Sequence, residues 1–186
     1  MSLRRAPQLG IMASVGRKLK KPKVDKRGRV SAGLLLWRRK RGRVEVLLGH
    51  PGGPYFAHRN EGDWTVLKGE IEPGEDALAV ARREFSEETG QPPPMGSPVE
   101  LGRIQQKSGK VVHAWGVEGD VDPDACTSNT FDMEWPPGSG QVESFPEIDR
   151  VAWFSLPEAR RRIKPAQAPF LDRLQSEIEA HDSRRR

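Results

Sequence analysis

Three glutamates in one short segment could bind a divalent metal ion together. Glu84, Glu87 and Glu88 are three and four residues apart, so a helix over this segment places their carboxylates on one face. Like charges this close repel one another and destabilise the helix unless a cation neutralises them. Oxygen ligands suit hard cations, which makes Mg²⁺ the expected ion and Mn²⁺ the alternative. Taken alone, the three residues are also compatible with an ordinary acidic helix face exposed to solvent.

The residues around these acids are suited to holding them in place. Gly69 and Gly74 border a loop before the helix, and glycine lets the backbone approach a phosphate or a metal without a side-chain clash. Leu78, Ala81 and Phe85 have helical spacing on the opposite face and are expected to pack on a sheet. The helix is therefore predicted to be fixed on its apolar side and to present its acids on the other.

These residues together match the Nudix box, G-x5-E-x7-R-E-U-x-E-E-x-G-U, in which U is a bulky apolar residue. The matching positions are Gly69, Glu75, Arg83, Glu84, Phe85, Glu87, Glu88 and Gly90. With seven fixed positions matched, the motif is highly specific, and the chain resembles the Nudix hydrolase (MutT-like) superfamily. The last U is Gln91 here, a departure that we expect to affect the packing of the helix end and not the metal site.

The resemblance extends beyond the box. Residues 64–70 are similar to the W-x-x-P-K-G segment of hydrolases that act on diadenosine polyphosphates, with Leu67 in place of the proline. Residues 31–34 resemble the opening strand of that group, and residues 49–56 resemble a bacterial subgroup known as predicted NTP pyrophosphohydrolases. The similarity covers about residues 30–175.

The resemblance implies a fold and a reaction. The fold class is α/β (α+β), with the Nudix-type α/β/α sandwich around a mixed β-sheet. The reaction is Mg²⁺-dependent hydrolysis of a pyrophosphate linkage in a nucleoside diphosphate derivative. Diadenosine tetraphosphate, cleaved asymmetrically, or a related nucleotide is the expected substrate.

The resemblance also assigns roles to the residues of the box. The metal ligands are expected to be Gly69 through its carbonyl, Glu84 and Glu88 as primary ligands, and Glu87 as a further ligand. Arg83 is expected to orient Glu84 and to act with Glu84 and Glu88 in catalysis. Glu75 and Gly74 are expected to shape the loop.

The general base of Nudix enzymes lies either in the box or on a separate loop. The candidates outside the box are Glu143 and Glu147, which precede a predicted strand containing Trp153. Glu147 is favoured because related chains often place an acid about six positions before such a tryptophan. An ordinary loop acid is the alternative interpretation.

Several residues are candidates for substrate binding. Lys68 could pair with a phosphate as a point charge, although a solvated lysine at a strand end is an equal alternative. Aromatic rings stack on any base, and the candidates are Tyr55, Phe56, Trp115, Phe131 and Trp135. Tyr55 and Trp135 are favoured because they lie in predicted loops. His113 alternates with Val112 on a predicted strand and is expected to be structural.

Interleaved strands and helices must position these residues. We predict strands at 30–37, 44–48, 64–67, 99–106, 111–118 and 151–154 and helices at 76–89, 155–163 and 167–181. Asp76 is the expected N-cap of the first helix and Gly90 its left-handed C-cap. Residues 49–62 and 119–150 are predicted to be irregular.

Composition and charge limit the domain organisation and the classes of binding partner that remain possible. The 186 residues carry a net charge of +5, but residues 1–28 hold nine Lys or Arg and a single acid, so the rest of the chain is acidic. We expect a basic tail at 1–28, a domain at 29–182 and a basic tail at 183–186. The acidic body gives no electrostatic case for a nucleic-acid-binding domain, so only the tail is a candidate for RNA. A single cysteine, Cys126, and no apolar run of membrane-spanning length favour a cytoplasmic protein that does not cross a membrane. A monomer or homodimer is expected, and the resemblance implies a small nucleotide as the binding partner.

Other functions compatible with the same residues stay open. The first is a pyrophosphohydrolase that removes oxidised nucleotides such as 8-oxo-dGTP, and the second is an RNA 5′-pyrophosphohydrolase that uses the basic tail. The third is a catalytically silent module that senses nucleotides, although binding alone does not require three clustered carboxylates.

Overall fold

The structure, a computed structural model, describes residues 29–184, and the predicted tail at 1–28 lies outside them. Eight strands and three α-helices follow in chain order: β1 (Val30–Lys40), β2 (Arg43–Pro51), β3 (Leu67–Glu70), α1 (Ala77–Thr89), β4 (Val99–Gln105), β5 (Val111–Glu118), β6 (Thr130–Glu134), β7 (Val142–Pro146), β8 (Ile148–Ser155), α2 (Leu156–Arg162) and α3 (Ala168–Arg184). Short 3₁₀ turns lie at Pro123–Ala125 and Pro165–Gln167. No helix within 29–184 is long and apolar enough to cross a membrane.

Strand β1 is the centre of a six-stranded mixed sheet of order β4-β5-β1-β2-β8, with β3 also paired to β1. β1 runs parallel to β5 and antiparallel to β2 and β3. Residues 31–34 of β1 pair with β3, and residues 37–40 pair with β2. Two strands therefore share β1, which brings β3 into the middle of the sheet.

Each face of the sheet is covered by helices. The buried cluster on one face joins β1, β3 and α1 and includes Leu34, Leu36, Leu67, Val80 and Phe85. The cluster on the other face joins β1, β2 and the C-terminal helices and includes Leu35, Val46, Ile163, Phe170 and Leu174. Alternation of apolar side chains along β1 and β2 supplies both faces, as expected for strands covered on two sides. The α/β/α sandwich around a mixed sheet is thus confirmed.

Helix α1 has the predicted ends. The Asp76 carboxylate accepts a hydrogen bond from the Ala79 N–H at 2.8 Å, and Gly90 adopts φ 69° as the left-handed cap. At the other end of the chain, α3 continues to Arg184, two residues past the predicted domain boundary. Ser155 stands at the N-cap position of α2 but makes no capping hydrogen bond through its side chain.

The third strand begins later than predicted. Trp64 and Thr65 make only isolated bridges, and β3 starts at Leu67. The Val66 N–H donates to the side chain of Gln167, far along the chain, at 2.9 Å instead of to a neighbouring strand, and this interrupts the pairing. Because β3 spans Leu67–Glu70, both Lys68 and Gly69 lie within this strand.

The prediction that 119–150 is irregular was wrong in part, because this segment contains the hairpin of β6 and β7. The two strands form a separate two-stranded sheet, and Phe131 and Phe145 face each other with ring centroids 6.2 Å apart. Neither strand has a fully buried residue, and the alternation of polar and apolar residues along β6 has no counterpart in β7.

Candidate functional site

Helix α1 directs two carboxylates at strand β3. Glu84 and Glu88, one turn apart, are 4% and 6% exposed. The backbone N–H of Lys68 donates to Glu88 Oε2 at 2.7 Å. Gly69 lies so close to the Glu84 carboxylate that a Cβ at this position would overlap it. Glycine is therefore required at 69 for the helix to approach the strand with Glu84 in this conformation.

Arg83 contacts both the buried Glu84 and the more exposed Glu87 of α1. Its Nη1 donates to Glu87 Oε1 at 2.9 Å and lies 2.8 Å from Glu84 Oε1. Its Nη2 is 3.7 Å from Glu75 Oε1, and Glu75 Oε2 in turn accepts from the Glu72 N–H at 2.8 Å. Gly74, at φ 88°, makes the turn between Glu72 and Glu75. One guanidinium thus joins the helix to the loop that precedes it.

The inner acids occupy an unfavourable environment for negative charge. Burial raises the pKa of the Glu88 carboxyl, and the charges of Glu84 and Glu147 raise it further, while the Lys68 ammonium opposes them. Burial also lowers the pKa of Lys68, with the Glu88 carboxylate acting in the opposite direction. A cation near Glu84 and Glu88 would relieve this repulsion.

The donor chemistry fits a hard divalent cation. Glu84, Glu87 and Glu88 offer carboxylate oxygens and Gly69 a carbonyl oxygen, a set suited to Mg²⁺ or Mn²⁺. Within 29–184, no three Asp, Glu, His or Cys side chains are already arranged around one point as metal ligands. In this conformation Arg83 supplies the counter-charge to Glu84 and Glu87, and the Lys68 N–H binds Glu88.

Of the two outside acids, the structure brings Glu147 to the site. Its charge acts on Glu88, whereas Glu143 is exposed on β7. The Glu147 backbone is held on both sides, since its N–H donates to the Asn129 carbonyl at 2.8 Å and its carbonyl accepts from the Gly52 N–H at 3.0 Å.

The two favoured aromatic residues meet in space although 80 positions separate them. The rings of Tyr55 and Trp135 are in edge-to-face contact with centroids 5.3 Å apart, and Tyr55 is 55% exposed. Trp115, by contrast, is buried in the core at 8% exposure. His113 lies 2.6 Å from Glu100 Oε1 through Nε2, a structural contact.

Two further residues hold the loops of the site, and of these the sequence analysis selected Gln91 but not His50. His50 is fully buried, with Nδ1 2.6 Å from Asp149 Oδ1 and Nε2 2.6 Å from the Arg59 carbonyl, so it anchors the loop that carries Tyr55. Gln91 replaces the expected apolar residue and donates through Nε2 to the Asp122 carbonyl at 2.8 Å. Its hydrogen bond, not an apolar contact, seats the end of α1.

Comparisons with known proteins agree with this architecture. A family model described as NUDIX domain matches residues 27–174. Among solved structures, the Ap4A hydrolase binary complex of C. elegans is 20% identical, with 81% of this chain and 98% of that chain covered and a TM-score of 0.58. The NUDIX domain of Shewanella oneidensis NrtR, complexed with ADP ribose, is 15% identical over 86% and 94% of the two chains, with a TM-score of 0.57. A mutT/nudix family protein from Listeria innocua is 16% identical over 83% and 96%, with a TM-score of 0.55. At these identities the structural likeness bears on the fold alone.

Proposed function

The chain belongs to the Nudix family of pyrophosphohydrolases, and on that premise we propose that it hydrolyses a pyrophosphate linkage in a nucleoside diphosphate derivative with Mg²⁺ or Mn²⁺. One observation carries the proposal: Glu84 and Glu88 are both buried against β3, Glu84 beside Gly69 and Glu88 beside Lys68, where a cation would relieve their mutual repulsion.

Glu84 and Glu88 are the proposed primary metal ligands, with Glu87 and the Gly69 carbonyl as further ligands. Nudix hydrolases generally use divalent cations, which neutralise phosphate oxygens and make bound water more acidic. Arg83 is the proposed positioning residue for Glu84 and Glu87, since its guanidinium contacts both carboxylates. Glu75 and Gly74 keep the loop before the helix in its turn.

Glu147 is the proposed general base. It accepts a proton from the attacking water while the water oxygen forms a bond to one phosphorus of the pyrophosphate linkage. The bond between that phosphorus and the bridging oxygen breaks, and the second phosphate leaves with the bridging oxygen. The fixed backbone of Glu147 and its electrostatic contact with Glu88 support this role.

The substrate groups are proposed from the surrounding side chains. Tyr55 and Trp135 form an aromatic surface on which a base can stack, and Lys68 supplies a positive charge for a phosphate. Diadenosine tetraphosphate is the leading substrate. Residues 29–182 are the proposed catalytic unit, with 1–28 as a separate tail.

A product analysis tests the reaction. The full chain is incubated with Mg²⁺, Mn²⁺ or EDTA and with diadenosine tetraphosphate, ADP-ribose, 8-oxo-dGTP or 5′-triphosphorylated RNA, and products are identified by mass. We expect AMP and ATP from diadenosine tetraphosphate with a divalent cation and none with EDTA. Pyrophosphate release from 8-oxo-dGTP or RNA would instead favour those alternatives, and no turnover of any compound would favour a silent nucleotide-binding module.

A substitution tests the aromatic surface. Tyr55→Ala is expected to raise KM about ten-fold at nearly unchanged kcat, because the stacked base contributes to binding and not to bond cleavage. Met95→Ala, at a 98% exposed apolar residue, is the matched control. Equal KM values for the two variants would remove Tyr55 from the substrate site.

A further inference from the structure

The loop that follows β2 carries Tyr55 and has little apolar surface to hold it in place. Residues 53–63 contain no buried residue, and residues 57–61 are exposed. A segment with so little buried surface keeps its conformation mainly through its hydrogen bonds. The position of Tyr55 relative to Trp135 therefore depends on where those bonds attach the loop.

Two successive turns connect the Tyr55 segment to Arg59. The Phe56 N–H donates to the Gly53 carbonyl at 3.1 Å, and the Arg59 N–H donates to the Phe56 carbonyl at 2.8 Å. Tyr55 lies inside the first turn, and Phe56 belongs to both turns. A shift of the Arg59 main chain therefore shifts the turn that holds Tyr55.

The Arg59 carbonyl is held in turn by the buried side chain of His50. Nε2 of His50 lies 2.6 Å from this carbonyl, and Nδ1 lies 2.6 Å from Asp149 Oδ1. The His50 ring is fully buried and packs edge-to-face on Trp64, with ring centroids 5.2 Å apart. These contacts on three sides fix the orientation of the imidazole, so that Nε2 faces the loop.

The first residue of the loop is attached without the His50 side chain. The Gly52 N–H donates to the Glu147 carbonyl at 3.0 Å, and both groups belong to the main chain. A substitution at His50 does not remove this bond. The Nε2 contact thus acts on the part of the loop that carries Tyr55 and not on the attachment of the proposed base.

We infer that His50 is a positioning residue for the base of the substrate: its Nε2 contact with the Arg59 carbonyl keeps Tyr55 against Trp135. The inference rests on the proposed function, in which these two rings bind the base, and it separates recognition of the base from binding of the phosphates. Binding of a ligand with a base depends on the Nε2 contact, and binding of a ligand with phosphates alone does not.

Two amide substitutions distinguish a role of Nε2 from a general effect of the buried ring. Asparagine is short and places its amide nitrogen near the position of Nδ1, whereas glutamine is one carbon longer and places its amide nitrogen near Nε2. His50→Asn therefore removes the donor that faces Arg59, and His50→Gln is the matched control that keeps a donor there.

The full chain in EDTA is titrated calorimetrically with ATP and with inorganic tripolyphosphate, which lacks the adenosine group. We expect His50→Asn to weaken ATP binding about five-fold and His50→Gln to weaken it less than about two-fold, with tripolyphosphate binding unchanged in both. The double variant His50→Asn/Tyr55→Ala should bind ATP no more weakly than Tyr55→Ala, because both substitutions act through the same ring. Equal losses in the two His50 variants, losses that extend to tripolyphosphate, or additive losses in the double variant would overturn the inference.

A second pair of variants tests the same connection outside the core, at the exposed Arg59. Arg59→Pro removes the N–H that binds the Phe56 carbonyl, whereas Arg59→Ala removes only the side chain. We expect Arg59→Pro to bind ATP about three- to five-fold more weakly than Arg59→Ala and to bind tripolyphosphate equally well. Equal ATP binding by these two variants would contradict the inference even if the His50 variants failed to fold.

The outcome is separable from that of the proposed function. Hydrolysis of nucleotides together with equal ATP binding by His50→Asn and His50→Gln would refute the role of His50 and leave the reaction intact. Loss of ATP binding in His50→Asn alone, without hydrolysis of any nucleotide by the wild type, would refute the reaction and leave the role of His50 intact.

Discussion

Replacing Glu88 with glutamine separates the chemistry of the site from its folding. Glu88 is 6% exposed, and its Oε2 accepts the Lys68 N–H at 2.7 Å. Glutamine has nearly the same shape and keeps an oxygen acceptor, so the bond between α1 and β3 can persist. The substitution removes the negative charge that the proposed cation requires.

The expected loss follows from that charge. Without one charged ligand, kcat should fall at least 100-fold, which corresponds to about 2.7 kcal/mol of activation free energy. The assay is steady-state turnover of diadenosine tetraphosphate at saturating Mg²⁺. The matched control is Glu87→Gln, whose more exposed carboxylate pairs with Arg83 and whose loss should be smaller. A kcat of Glu88→Gln within about three-fold of wild type would refute the assignment of Glu88 as a ligand.

For the same variant in EDTA, we expect the difference in free energy of unfolding from wild type to depend on pH. Because the folded-state pKa of Glu88 is raised above its ordinary value of 4.5, the folded protein binds this proton more tightly than the unfolded chain does. Glu88 therefore does not change the free energy of unfolding when the pH is well below 4.5, and it lowers that free energy progressively as the pH rises above 4.5. Glu88→Gln should gain stability relative to wild type between about pH 5 and about pH 8, as measured by urea unfolding. A difference that does not change with pH would contradict the raised pKa.

Three other substitutions give distinct results. In the same turnover assay, Glu147→Gln should lower kcat about 100-fold, and Glu143→Gln should leave kcat nearly unchanged. Equal effects of the two substitutions would exclude Glu147 as the base. Gly69→Ala should lower the free energy of unfolding, measured with urea, by about 1–3 kcal/mol and remove most of the activity, because the new Cβ displaces the Glu84 carboxylate. Unchanged stability would contradict the close approach of Gly69 to Glu84. Ser31→Ala should be neutral or stabilising by about 1 kcal/mol, because the Ser31 hydroxyl is buried without a hydrogen-bond partner among the residues described; a clear loss of stability would contradict this.

Helix α1 could be predicted from the sequence because its determinants are local. Asp76 and Gly90 mark its ends, and the spacing of Glu84 and Glu88 on one face follows from helical geometry alone. The start of β3 depends instead on a distant group. Gln167, about a hundred residues away, takes the hydrogen bond of Val66, and no pattern near Val66 reveals it.

The remaining parts of the site depend on tertiary contacts. The meeting of Tyr55 with Trp135 requires the β6–β7 hairpin, whose half-exposed strands have no fully buried residue. Lys164 follows a short helix, and its N–H reaches the Trp64 carbonyl only through the packing of α2 beside Trp64. Each of these contacts joins segments whose proximity is set by the closed sandwich and not by sequence spacing.

The main chain of Asn129 joins the acidic helix to Glu147. Its N–H donates to the Glu87 carbonyl at 3.2 Å, and its carbonyl accepts from the Glu147 N–H at 2.8 Å. Both bonds involve peptide groups, so the connection between α1 and the proposed base Glu147 does not depend on the side chain at position 129. The β6–β7 hairpin begins and ends next to these two hydrogen bonds, where Thr130 pairs with Pro146. The two bonds thus lie at the start of the hairpin, at the opposite end from Trp135, so a change confined to the far end of the hairpin leaves both of them in place.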